Sequence, residues 1–363
     1  MNPPRNGSEL SNPTLFAQQL LEWFENHGRH DLPWQGTRDP YPIWVSEIML
    51  QQTQVVTVIP YFQRFMQGFP DVNALASASQ DEVLHQWTGL GYYTRARNLH
   101  KAARCIVNSH QGNFPNNVDA IRSLPGIGPS TAAAILAFSS GQRHAILDGN
   151  VKRVLTRFYA IEGYPGQRVI HDKLWRLANR NTPHQRVGEY TQAIMDLGAT
   201  LCVRRKPKCE LCPVKASCRA RKQGNPERYP TPKPRKALPL KKIQMLLITD
   251  EQGRVLLQRR PPAGVWGGLW CFPECESHDN ASEWARRHLG VTIKSHASLP
   301  VIHHTFSHYR LDVTPVPATL SGSNGRIMES NAQLWYKPEL ENEIGLAATV
   351  NQLSPQLFKR SNK

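Results

Sequence analysis

The stretch "AILDGNVKRVL" at residues 145–155 places a single acid, Asp148, between an apolar run and a basic segment. Val151, Val154, Leu155 and Phe158 then recur at helical spacing, with Lys152, Arg153 and Arg157 off that stripe. Asp-Gly-Asn ahead of such a pattern predicts a helix N-terminus capped by Asp148. The same carboxylate could also do chemistry on whatever the basic residues hold. A second acid, Glu47, is the only one between Asp39 and Asp71 and sits among Trp44, Val45, Ile48 and Met49, where desolvation would raise its pKa. Four of the seven cysteines form a C-x6-C-x2-C-x5-C array, Cys202, Cys209, Cys212 and Cys218. Thiols clustered in this way read as a metal site, either tetrahedral zinc or a cubane iron–sulfur cluster; spacing alone leaves the choice open and leans slightly to zinc. In "LPGIGPSTAAAI", residues 124–135, Gly126 and Gly128 flank Ile127 in a tight turn. Glycines there admit positive φ and close backbone approach, and the amides that open the next helix form an anion site.

These residues need a scaffold, and the chain is long enough for two or three domains at 363 residues and 40% hydrophobic content. Its net charge of +16 favours a polyanionic partner, either nucleic acid or an anionic membrane face. No stretch approaches the roughly 18 apolar residues of a spanning helix, which argues against the membrane. The N-terminus "MNPPRNGSEL" lacks the apolar core of a signal peptide, so the expectation is a cytoplasmic, nucleoid-associated protein with reduced thiols. Residues 12–225 carry helix signals and little period-two alternation: "WVSEIMLQQTQVVTVI" (44–59), "VDAIRSLPGIG", "STAAAILAF" with Ser130 or Thr131 as a cap, and "YTQAIMDLGATLC" running into the cysteine array. The first domain is therefore predicted to be all-α. A basic, proline-rich linker at 226–237 stays out of helix. Beyond it, residues 238–363 change pattern. "QMLLIT", "DEQG" and "RVLLQRR" predict a β-hairpin, followed by a Gly/Trp-rich loop and the helix "ASEWARRHLG", which together predict an α+β domain.

The glycine hairpin followed twenty residues later by Asp148 resembles the helix-hairpin-helix DNA glycosylase superfamily. The cysteine array resembles the [4Fe–4S] loop of its endonuclease III branch, and this resemblance moves the reading from zinc to a single [4Fe–4S] cluster. Within that branch "VSEIMLQQTQV", "TGLGYYTRARNLHKAA", "LDGNVKRVL" and "HHTFSH" resemble the members that excise adenine mispaired with 8-oxoguanine or guanine. The resemblance implies a monomeric enzyme of double-stranded DNA. It gives Asp148 the role of an ionised stabiliser of the oxocarbenium ion and Glu47 that of the acid on adenine N7, with Asn150 and Ser130 orienting the site. Gln52, Leu90 and Tyr92 match the residues that wedge into the helix from which the adenine is flipped. Gly126, Gly128 and Lys152 fall at phosphate contacts. Bifunctional relatives have a lysine where this chain has Ser130, so a monofunctional enzyme is implied, with Lys152 a minor source of adducts. The second domain resembles the Nudix fold: "GGLWCFPE" matches the lead-in to its box, but the helix has one glutamate, Glu283, and lacks the metal-binding set, so nucleotide hydrolysis is not expected. By resemblance Phe306, Ser307 and His308 recognise 8-oxoguanine.

Overall fold

A computed structural model describes residues 13–234, 237–321, 332–337 and 344–358. They fall into two compact units: Met1–Ser77 with Asn98–Pro234, and Ala78–Arg97 with Arg235–Lys363. The helical segment 78–97, which sequence reading leaves inside the first domain, is thus part of the second unit.

Through residue 222 the helices are α1 (Pro13–His27), α2 (Pro40–Leu50), α3 (Val55–Gly68), α4 (Val72–Ser77), α5 (Gln80–Gln86), α6 (Thr94–His110), α7 (Val118–Ser123), α8 (Pro129–Ser140), α9 (Gly149–Phe158), α10 (Arg168–Asn181), α11 (Val187–Asp196) and α12 (Arg219–Lys222). In the first unit α2 and α8 are apolar nearly all round and pack on each other, with Trp44, Ile48 and Met49 of one and Ala132–Ala137 of the other buried. A helix without a polar face belongs in the centre of a domain. The alanines of α8 allow close approach. The amphipathic helices α1, α9, α10 and α11 add Phe16, Leu20, Val154, Leu155, Leu174 and Ile194 to one core cluster.

Two local expectations need correction. The predicted helix over 44–59 is two helices, because Gln51–Gln54 break it and Gln52 takes a left-handed φ of 60°. Neither Ser130 nor Thr131 caps α8; Gly128 holds the N-cap position with Pro129 at the first turn, where a missing N–H costs nothing.

In the second unit β1 (Leu240–Thr249) and β2 (Val255–Arg259) form the hairpin and are followed by β3 (Trp270–Cys271), β4 (Glu274–Glu276), α13 (Ala281–Leu289), β5 (Ile293–Ser295), β6 (Ile302–Thr305), β7 (Arg310–Leu320), β8 (Gln333–Tyr336) and α14 (Ala348–Phe358). One mixed sheet runs β3-β2-β1-β7-β5, with β4 on β1, β6 on β7 and β8 on β2. The β1–β7 pair is parallel, from Leu240↔Arg310 to Thr249↔Thr319; the other pairs are antiparallel. α13 buries Ala285 against this sheet's core cluster and leaves Glu283 exposed. No described helix is long and apolar enough to cross a membrane.

Candidate active site

α2 starts at Pro40 behind Asp39, whose carboxylate accepts from the Tyr41 amide at 2.9 Å. The helix then carries Glu47 through the protein interior to a cavity of about 1110 Å³. Its walls include Glu47, Gln52, Ser130, Asp148 and Asn150, contributed by α2, the break after it, and the starts of α8 and α9. Burial raises the Glu47 carboxyl to about 8, and the neighbouring charge of Asp148 adds to the rise.

Asp148 caps α9 as expected, its Oδ1 accepting from the Val151 amide at 2.8 Å. Burial also raises the Asp148 carboxyl, but the Val151 and Asn150 amides, the Arg153 guanidinium and the Asn150 side chain all oppose it. The rise of Glu47 is opposed by no such donors, which makes it the better placed of the two to hold a proton.

Asn150 donates from Nδ2 to Asp148 Oδ2 at 3.2 Å, and its Oδ1 accepts from Arg153 Nη2 at 2.8 Å. Arg153 also donates to the carbonyls of Gly198 at 2.6 Å and Cys202 at 2.7 Å. After α11 the chain widens into a π-turn over Leu197–Leu201, and a Cβ on Gly198 would stand 2.6 Å from the Asn150 Cβ. Only glycine allows this approach without displacement. Ser130 Oγ accepts from the Leu147 amide at 2.8 Å and so fixes the residue before Asp148. In the glycine hairpin Gly126 has φ +81°, and a Cβ there would lie 2.8 Å from the Asn98 Cβ. Gly128, at φ −90°, needs no special backbone; a Cβ on it would meet open space, and its absence leaves that face clear for a ligand.

The four array cysteines line one small cavity with Arg157, Pro207 and Lys208. Buried Arg157 donates to the carbonyls of Cys202, Val203, Arg204, Pro226 and Tyr229 and to Cys202 Sγ at 3.3 Å. Burial and mutual repulsion push the Cys212 thiol up to about 12, and Cys209 and Cys218 also rise. Thiols crowded in this way stay protonated unless a bound cation displaces their protons. Among the described residues no three His, Cys, Asp or Glu side chains form a single-ion site.

A family model for the HhH-GPD superfamily of base excision DNA repair proteins matches residues 45–180, and one for the NUDIX domain matches 244–355. An adenine DNA glycosylase of Buchnera aphidicola (subsp. Acyrthosiphon pisum) is 38% identical over 339 residues, 93% of this chain and 96% of its own. The chain belongs to the adenine DNA glycosylase family. The human adenine DNA glycosylase is 33% identical over 377 residues, covering 86% of this chain and 68% of its own. A solved thermostable thymine-DNA glycosylase aligns with 58% of this chain and 97% of its own, with a TM-score of 0.54 and 30% identity. As an adenine DNA glycosylase the chain is a hydrolase of N-glycosyl bonds in base excision repair.

The wedge candidates of this adenine DNA glycosylase differ among themselves. Gln52 is exposed at the cavity, Tyr92 is 53% exposed, and Leu90 is 6% exposed. Gln52 and Tyr92 both hold left-handed backbone, with φ 60° and 48°. Lys152 is not among the described residues lining the cavity. Phe306 and Tyr309 close a hairpin through an N–H···O bond of 2.9 Å, which puts exposed Ser307 and His308 at its tip. Sequence reading missed Arg29, Trp34, Glu189 and Gln192 on the cavity wall. Arg29 and Gln192 both bond the buried Asp196. They come from separate parts of the chain, and no local pattern marks them.

Proposed function

We propose that the chain removes adenine mispaired with 8-oxoguanine, or with guanine, from duplex DNA as a monomeric, monofunctional glycosylase acting on chromosomal DNA in the cytoplasm. The observation that carries this reading is the pairing, in one cavity, of a carboxyl raised to about 8 with a carboxylate held by hydrogen bonds, in a wall where no described residue is a lysine. The target adenine leaves the stack at a cost of about a few kcal/mol. Gln52, Leu90 and Tyr92 are the wedge residues that fill the space it vacates. Gly126, Gly128 and Lys152 hold phosphate.

Glu47 donates its proton to adenine N7. The C1′–N9 bond then breaks with its electrons going to the base. Asp148 faces the resulting oxocarbenium ion; at an effective dielectric near 20, a carboxylate about 4 Å from that cation contributes roughly 4 kcal/mol. General-acid help adds about 10²–10⁴ in rate. Water adds to C1′, and its proton returns to the Glu47 carboxylate. With Ser130 in place of an amine, no Schiff base forms and the product is an abasic site.

Cys202, Cys209, Cys212 and Cys218 would hold a [4Fe–4S] cluster; four thiols lining one small cavity fit a multi-atom group. The cluster would supply a cross-link that holds Arg204, Arg205, Lys206, Lys208, Lys215 and Arg219 against phosphates. We read 12–225, apart from the 78–97 segment that clusters with the second unit, as the catalytic domain and 238–363 as the lesion reader, with Phe306, Ser307 and His308 recognising 8-oxoguanine. In the basic connection 226–237 the start is not a free tether, because Pro226–Arg228 forms a 3-10 turn and buried Tyr229 packs on the first unit.

The test is incubation with duplexes containing A:8-oxoguanine, A:G, A:T and thymine glycol, scoring base release with and without alkali. Adenine release from the first two, with strand breaks only after alkali, is expected. Release of thymine glycol, or breaks without alkali, would overturn the reading.

A further inference from the structure

Tyr92 and Leu90 lie in the part of the first two-thirds of the chain that belongs to the second unit. The loop that carries them is tightly specified. Gly89, Gly91 and Tyr92 all have positive φ. Trp87 Nε1 donates to the Gly91 carbonyl at 3.1 Å, and Arg95 donates to the carbonyls of Leu90 at 3.3 Å and Gly91 at 3.1 Å. The Arg95 guanidinium also lies over the Trp87 ring at 5.3 Å and the Tyr92 ring at 5.6 Å.

Two residues tie this loop to the rest of its unit. Buried Arg97 donates from Nη1 to the Gly267 carbonyl and from Nη2 to Thr94 Oγ1 at 3.0 Å. Asp81 on α5 pairs with Arg259, whose guanidinium covers the Trp270 ring at 5.2 Å. The backbone that Arg97 grips continues directly into Trp266, whose ring meets Phe306 edge-on at 5.6 Å and His304 at 5.3 Å. An unbroken path of bonds and ring contacts thus runs from the Tyr92 loop through Arg97, Gly267 and Trp266 to the hairpin bearing Ser307 and His308.

We infer that Arg97 and Asp81 are positioning residues for lesion discrimination, holding the Tyr92 wedge and the Phe306–His308 hairpin in one rigid reader. The inference rests on the proposed preference for 8-oxoguanine. A wedge that enters the duplex and a hairpin that reads the orphan base must act in register. A loose connection between them lets one engage without the other, and the lesion then gains nothing over plain guanine. Charge-assisted hydrogen bonds such as that of Arg97 set such geometry strongly.

The experiment compares single-turnover adenine release from A:8-oxoguanine and A:G for the full chain and for Arg97→Met, Arg97→Lys and Asp81→Asn, with thermal melting of each. The ratio of the two rates does not depend on the fraction of active enzyme, so simple destabilisation leaves it unmoved. Arg97→Met is expected to cut the ratio about tenfold, the fall on A:8-oxoguanine exceeding any fall on A:G. Arg97→Lys, which keeps a charged donor, should recover much of the loss. Asp81→Asn, at a more exposed pair, should shift the ratio the same way and serves if Arg97→Met fails to fold. A ratio within twofold of wild type in both Arg97→Met and Asp81→Asn, or equal falls on the two substrates, overturns the inference. A wild type with no preference for 8-oxoguanine sinks the underlying reading instead, and shows itself before any variant is compared.

Discussion

Arg153 donates from Nε to the carbonyl of Cys202 at 2.7 Å, and its Nη2 reaches Asn150, which in turn holds Asp148. One guanidinium therefore joins the start of the cysteine loop to a candidate catalytic carboxylate. Because its charge also lowers the Asp148 pKa, removing it moves that pKa up. Arg153→Met is expected to lower single-turnover adenine release about tenfold or more, by roughly 1.4 kcal/mol upward. The acid limb of the pH–rate profile should move to higher pH, and Arg153→Lys should restore part of the shift.

Asp148→Asn separates capping from chemistry. Asparagine caps helices about as well as aspartate, so α9 should stay formed and the melting temperature near wild type. Adenine release should fall to less than about a tenth of wild type, a loss above roughly 1.4 kcal/mol, while mispair affinity by gel shift is kept or tightened. A variant that keeps more than that tenth removes Asp148 from the reaction.

Glu47 sets the alkaline side. A general acid must be protonated, so the wild-type rate should fall as pH rises through about 8, and Glu47→Gln should be nearly inactive at every pH. Stability follows the same group. Its folded pKa of about 8 exceeds the unfolded value of 4.5, so the folded chain binds the extra proton and loses stability as pH rises across that window. Glu47→Gln should therefore be more stable than wild type above pH 8, by up to roughly 5 kcal/mol, and nearly equal to it below pH 4.5 in chemical denaturation.

Ser130→Lys places an amine on the cavity wall. It should introduce strand cleavage that borohydride traps, absent from the wild type. The change also leaves the Leu147 amide without the Ser130 hydroxyl, at a cost of about 1–3 kcal/mol. Strong trapping by the wild type would point instead to another amine, with Lys152 the first to replace.

Purified protein should be yellow-brown and contain about four irons, as a cubane cluster on four thiolates requires. Cys209→Ser should reduce iron, stability and DNA affinity together. One equivalent of zinc and no iron, in anaerobically prepared protein, is the outcome that rejects the cluster.

Several of these features are local, and the sequence shows them. Asp148 stands at the head of an amphipathic pattern and does cap α9; Glu47 stands alone among apolar residues and its carboxyl is raised. The break between α2 and α3 is different. "LQQTQ" contains neither glycine nor proline, yet Gln52 adopts φ 60°, so the chain turns at a residue whose type gives no warning. Ser130 has the right chemistry for a cap, but Gly128 occupies that position and the hydroxyl bonds Leu147 instead. Arg29 and Gln192 reach the cavity through a shared partner, Asp196, that lies far from Arg29 in the chain. Periodicity reports only neighbours along the chain, so neither that meeting nor the placement of 78–97 in the second unit was visible in it.

That placement has a consequence during synthesis. Leu84 of α5 packs where a Cβ on Gly345 would stand 2.6 Å away, and Arg97 waits for Gly267, 170 residues later in the chain. At about 5–20 residues per second, a ribosome needs roughly 10–30 s to make that interval. Throughout it, the nascent segment 78–97 has no second-unit surface to fold against. Segment 78–97 therefore stays without its partners after it leaves the exit tunnel, and this window is where chaperones and proteases would meet the chain.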